Sequence, residues 1–139
     1  MAGLGADPYG TLFGATTQGG FNYLGALIQY PPGLAESEIH SFGGFDGMTP
    51  TGKLVIDSPD NIYGTASAGA GSGYVSVFIL NFGRFVTLYS FTGAADGAGP
   101  ASGVLLRNGN LYGATSGGGA NGYGTIYEVN LLSRRDSVV

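Results

Sequence analysis

The fold class predicted for this chain is all-β, a propeller-like repeat of four-stranded blades, and three observations lead there. One phrase occurs three times, as Leu12-Phe13-Gly14-Ala15-Thr16, Ile62-Tyr63-Gly64-Thr65-Ala66 and Leu111-Tyr112-Gly113-Ala114-Thr115, with its aromatic residue spaced by 50 and then 49 positions. A period of this length marks stacked supersecondary units. The intervening segments are short runs of β-branched and aromatic residues bounded by Gly, Asn, Asp or Pro, the pattern of strands and turns. Finally, 28 of the 139 residues are glycine, about three times the ordinary share, and they lie between apolar runs without the triplet period of collagen.

Each unit reads as four strands. The first is Leu54-Val55-Ile56-Asp57, matched by Val104-Leu105-Leu106-Arg107. The second is the repeated phrase itself. The third is Ala26-Leu27-Ile28-Gln29-Tyr30, matched by Ser76-Val77-Phe78-Ile79-Leu80 and Thr125-Ile126-Tyr127-Glu128-Val129. The fourth spans residues 85–91, with Glu38-Ile39-His40-Ser41-Phe42 as its weaker counterpart. Asn108-Gly109 signals a tight hairpin between the first two strands of the third unit, and Asp57-Ser58-Pro59-Asp60-Asn61 signals a looser one. Leu34-Ala35-Glu36-Ser37-Glu38 supports at most one helical turn. Gly14, Gly64 and Gly113 each follow an aromatic residue inside a strand, which predicts a bulge or a close approach. Gly19-Gly20, Gly69-Ala70-Gly71 and Gly117-Gly118-Gly119 form loops after the second strand. The whole of residues 1–139 is read as one repeat domain, with units at 7–57, 58–107 and 108–132 and a tail, 133–139, outside the repeat.

About ten strands make two and a half to three blades, whereas closed propellers use four to eight. Apolar flanks would then face water, a liability that assembly removes. The expectation is a homo-oligomer, at least a dimer, in which two chains complete a six-bladed ring. A β-solenoid is the alternative architecture.

Composition excludes several functions. Five basic and nine acidic side chains give a net charge of −4, and Lys53 is the sole lysine, so no basic surface is available for nucleic acid. The absence of cysteine excludes disulfides and thiolate metal sites. No apolar run approaches the roughly 18 residues of a membrane span, and residues 1–6 do not read as a signal peptide. The spacing Gly47-Met48-Thr49-Pro50-Thr51-Gly52-Lys53 fits a phosphate loop, but Leu54 stands where a magnesium-binding hydroxyl belongs.

Among chemistry-bearing residues, His40 is the only histidine and neighbours Ser41, yet it occupies the place that Tyr89 holds one unit later, and the Gly-x-Ser-x-Gly elbow is missing. Asp46 and Asp96 recur at equivalent positions, each before Gly. That is turn chemistry or, gathered on one face of an assembly, an acid and base for glycoside cleavage. Glu128 has no acidic counterpart at Gln29 or Ile79. The catalytic candidates are therefore Asp46, Asp96, His40 and Glu128. The ligand-binding candidates are Tyr63, Tyr112, Asp46 and Asp96, because aromatic faces beside polar groups suit sugars and protein surfaces. Asp57 and Asp60 are weak calcium candidates; no strong metal site and no cofactor is expected.

The phrase Leu111-Tyr112-Gly113-Ala114-Thr115-Ser116-Gly117-Gly118-Gly119, followed by Gly124-Thr125-Ile126-Tyr127, and Leu88-Tyr89-Ser90-Phe91-Thr92-Gly93 with Asp96-Gly97 and Pro100, together resemble the choice-of-anchor tandem repeat family, from about Leu12 to Val129. The resemblance implies a propeller-like array in an extracellular or cell-surface bacterial protein, and implies no particular reaction. The array is shorter than is usual in that family, as an excised piece would be. The functional expectation is a surface module that binds polysaccharide or protein through loops on one face; the alternative is a hydrolase acting on glycosidic or ester bonds with loop carboxylates.

Overall fold

A computed structural model describes residues 3–58, 61–67, 75–100, 102–133 and 135–139. The strands are β1 (Gly5–Ala6), β2 (Leu12–Thr16), β3 (Ala26–Tyr30), β4 (Ser37–Ser41), β5 (Met48–Ser58), β6 (Asn61–Ser67), β7 (Ser76–Asn81), β8 (Arg84–Ser90), β9 (Ala98–Pro100), β10 (Leu105–Arg107), β11 (Asn110–Gly117), β12 (Ile126–Asn130) and β13 (Asp136–Val138). They form three antiparallel sheets in chain order, β1-β2-β3-β4, β5-β6-β7-β8 and β10-β11-β12-β13, with β9 also paired to β11. The described residues contain no helix, and no sheet closes into a barrel. The all-β, propeller-like repeat expected from sequence is the architecture observed.

The pairing explains the sequence period. Phe13 pairs with Gln29, Tyr63 with Ile79 and Tyr112 with Glu128, always between the second and third strand of a sheet. Likewise Gly5, Val55 and Leu105 pair with Phe13, Tyr63 and Tyr112 in turn. The third sheet splits the long first strand β5 into β9 and β10: Pro50 pairs with Ala66, and Pro100 with Thr115. Three strands lie outside the sequence reading, β9 and two others. Gly5–Ala6 forms β1, and Asp136–Val138, in the segment read as a non-repeat tail, pairs with β12 as β8 pairs with β7. The Leu34-Ala35-Glu36-Ser37-Glu38 segment makes a turn and then enters β4. Pro59, Asp60 and the Gly69-Ala70-Gly71 loop lie outside the described residues.

Because side chains alternate across a strand, the middle sheet has two apolar faces. Ile62, Ala66, Phe78 and Leu80 meet Phe13, Ala15, Leu27 and Phe42 of the first sheet. Tyr63, Val77, Leu88 and Phe91 meet Val104, Leu111, Tyr127 and Val129 of the third. Aromatic rings fill both junctions at edge-on angles. Phe42 and Phe78 lie 5.7 Å apart at 68°, and Phe91 and Tyr127 lie 4.8 Å apart at 68°, within the favourable range for such pairs.

The repeated glycines act here. Gly64 pairs with Phe78, and a Cβ on Gly64 would stand 2.6 Å from the Phe78 ring and 2.9 Å from Leu54. The ring lies across the bare backbone. Gly113 relates to Tyr127 in the same way. The pairing of β2, β6 and β11 with their third strands runs through these glycines without a register shift. Both expectations are realised at Gly64, which meets Phe78 closely on one side and on the other faces a register shift of β5 between Thr51 and Val55. Further shifts lie between the first and second strands at Met48/Pro50 and Ile56/Ser58, and between third and fourth strands at Leu27/Ile28 and Val77/Phe78.

Equivalent positions differ sharply in exposure according to sheet. In the series Leu12, Ile62, Leu111 the values are 40%, 3% and 0%. Leu4, Leu54 and Val104, which directly precede the equivalent pairs, show 56%, 2% and 7%. On the opposite face, Leu27 and Val77 are fully buried whereas Ile126 is 59% exposed. One face of the first sheet and one face of the third therefore carry core-type residues that nothing among the described residues covers.

Candidate functional site

In each meander the second-to-third strand loop and the connection to the next sheet fall at the same end. The loops of that end are stitched together. Phe21 N–H donates to Ser41 Oγ at 2.6 Å, Asn22 Nδ2 to the Phe42 carbonyl at 3.4 Å, and Thr49 N–H to the Leu24 carbonyl at 2.7 Å. In the third sheet Gly119 N–H donates to the Ala94 carbonyl at 2.9 Å, and Thr125 Oγ1 to the Asp96 carbonyl at 3.2 Å.

Asp46 and Asp96 sit in these connections. Asp46 Oδ1 accepts from Gly43 N–H at 2.7 Å, and its Oδ2 lies 2.7 Å from His40 Nε2. Asp96 accepts from Thr92 N–H at 2.7 Å, Thr92 Oγ1 at 2.6 Å and the Tyr89 hydroxyl at 2.9 Å. Partial burial works against ionisation of Asp96, but the donors from Thr92 and Tyr89 outweigh it and hold the carboxyl below its ordinary value, as donors to a carboxylate do. His40 and Tyr89, equivalent in sequence, thus play the same part, each anchoring the aspartate of its own connection.

His40 is held further by stacking on Phe85, 4.3 Å and 12° from parallel, and by an edge contact with Phe42. Ser41 points elsewhere, because neighbouring strand residues face opposite sides, and its hydroxyl serves Phe21. The structure joins His40 with Asp46, and among the described residues no hydrogen bond links that pair to Asp96 or Glu128. Glu128 accepts from Asn110 Nδ2 at 2.8 Å on the third sheet.

Tyr63 is buried between the second and third sheets, and burial together with the Asp57 carboxylate raises its pKa. Tyr112 lies half-buried on the outer face of the third sheet. Asp57 is exposed, and Asp60 lies outside the described residues. Among the described residues no group of three or more His, Cys, Asp or Glu side chains is placed to hold a metal ion, and no helix is long and apolar enough to cross a membrane.

Among the described residues the same end carries four exposed aromatic side chains, Phe21, Tyr23, Phe45 and Tyr123; Tyr9, Tyr30 and Phe82 are exposed rings toward the opposite end. None of the four is among the ligand-binding residues expected from sequence, which were Tyr63, Tyr112, Asp46 and Asp96. The signal available was their setting: Phe21-Asn22-Tyr23 is bracketed by Gly19-Gly20 and Gly25, so no strand pattern directs those rings into a core.

Three meandering sheets built on one repeated phrase define a tandem-repeat domain. The family model described as Gloeobacter/Verrucomicrobia repeat matches residues 1–138, and the chain belongs to that family. No curated protein matches the chain.

Proposed function

We propose that this domain is an extracellular or cell-surface repeat module that binds polysaccharide, or a protein surface, through the loops at one end of an assembly of at least two copies. The observation that carries the reading is the gathering of Phe21, Tyr23, Phe45 and Tyr123, all exposed, at the end that also holds Asp46 and Asp96. Exposed rings beside Asn22 and Asn121 offer flat apolar faces with amide donors at their rim, the combination that a sugar ring accepts. The resemblance to choice-of-anchor repeats supports the surface setting.

A hydrolytic role has less behind it. His40 and Asp46 do form a pair, but Asp46 is engaged by Gly43, and the His40 ring is packed on Phe85.

Binding to a panel of immobilised polysaccharides tests the proposal. The expected result is retention of the parent on at least one glycan and its loss on Phe21→Ala or Tyr123→Ala, with circular dichroism unchanged. Failure to bind any glycan or protein surface rejects the module reading. Turnover of chromogenic glycosides or esters that disappears in Asp46→Ala would establish the hydrolase instead.

A further inference from the structure

We infer that copies of this chain join head to tail: the outer face of the third sheet of one copy seats on the outer face of the first sheet of the next. The inference rests on the assembly named in the proposed function and specifies its mode.

The chain makes one kind of junction twice. At each, a sheet presents the aromatic residue of its repeated phrase, Phe13 or Tyr63, and the next sheet presents the preceding apolar position, Ile62 or Leu111. The uncovered faces are the two halves of a third such junction. The third sheet presents Tyr112, with Leu105 and Ile126 beside it; the first presents Leu12, with Leu4 and Tyr30. The residues that meet across the internal junctions at these positions are aromatic or aliphatic side chains buried to within 7% exposure, apart from the small Gly5 and the half-buried Val55 at the Leu105 position. Leaving both faces in water forfeits that burial of apolar area.

Two charged residues share the third sheet's face, Arg107 and Glu128, and neither opposes the contact: Arg107 stands at the position of Asp57, which is exposed to solvent. Glu128 occupies the position of Gln29, which lines a groove open to solvent beside Ile62, Leu80 and Phe82 at the first junction. A carboxylate placed there keeps its hydration.

A contact between two different patches is heterologous, which makes a sharp test possible. Leu12→Glu blocks only the first-sheet face, and Ile126→Glu only the third-sheet face. Both positions are exposed in the single chain, and Leu4→Glu with Leu105→Glu gives a second pair.

By sedimentation or light scattering, the parent should weigh at least twice its 14.0 kDa. Each variant alone should weigh one chain. An equimolar mixture of the two should recover a one-to-one pair through its one intact junction. A parent that associates while both variants keep its mass, or a mixture that stays monomeric, overturns the head-to-tail mode and leaves assembly standing. A parent that is monomeric at every concentration overturns both.

Discussion

The middle sheet and the two end sheets are built from the same phrase, and they differ in what covers them. Ile62 and Leu80 are buried where the equivalent Leu12 and Tyr30 are exposed. Repetition supplies strands with two apolar faces, and position in the stack decides how many of those faces contribute to stability. In a quasi-one-dimensional array each unit contacts only its neighbours, so the terminal units lack half of their interface energy.

Substitutions at matched positions sharpen that contrast. Phe78→Ala removes a fully buried ring and should cost about 3–5 kcal/mol in urea unfolding, against about 1 kcal/mol for Ile28→Ala, its half-buried counterpart on the first sheet. Equal costs would mean that the end face is covered.

A methyl group added at glycine should follow the same order. Gly64→Ala drives a Cβ into Phe78 and Leu54 and should destabilise by about 1–3 kcal/mol. At Gly14 the nearest atom is the end of the exposed Leu4 side chain at 3.1 Å, which can swing aside, so Gly14→Ala should cost well under half as much.

The smallest effect concerns the loop end, where burial contributes little. Asp96→Asn keeps the shape and removes the charge that Thr92 and Tyr89 bind, for about 1 kcal/mol at neutral pH after allowance for solvent screening. The sign follows from the lowered pKa. The folded state favours the carboxylate, so the stabilisation is present above the ordinary 3.8 and fades as pH falls from there through the folded value. Parent and variant should therefore converge in acid; a difference that persists at low pH would point to packing in place of charge.

Much of the fold was legible because the repeated phrase is itself the central strand of each sheet. Its three copies became β2, β6 and β11, and Asn108-Gly109 took the two positive φ angles, 51° and 76°, of a primed hairpin turn. Gly5–Ala6 and Asp136–Val138 were not legible as strands. Two or three residues carry no period of their own and acquire strand geometry only by pairing. Phe82 makes the β7–β8 turn at φ 47°, a conformation that its side chain gives no reason to expect.

At the candidate site, the equivalence of His40 with Tyr89 and of Asp46 with Asp96 could be read directly, and the hydrogen bonds within each pair explain it. The exposed rings could not, since Phe is more usually buried and Tyr intermediate, and only their loop neighbours signal exposure here.

The central claim is that equivalent residues differ because of their place in the stack. It is tested most directly by Leu12→Ala, Ile62→Ala and Leu111→Ala compared by chemical denaturation in the Ile126→Glu background, which keeps the chain single. Losses of about 2–5 kcal/mol at Ile62 and Leu111 with about 1 kcal/mol or less at Leu12 are the result the stacked arrangement requires; three equal losses would contradict it.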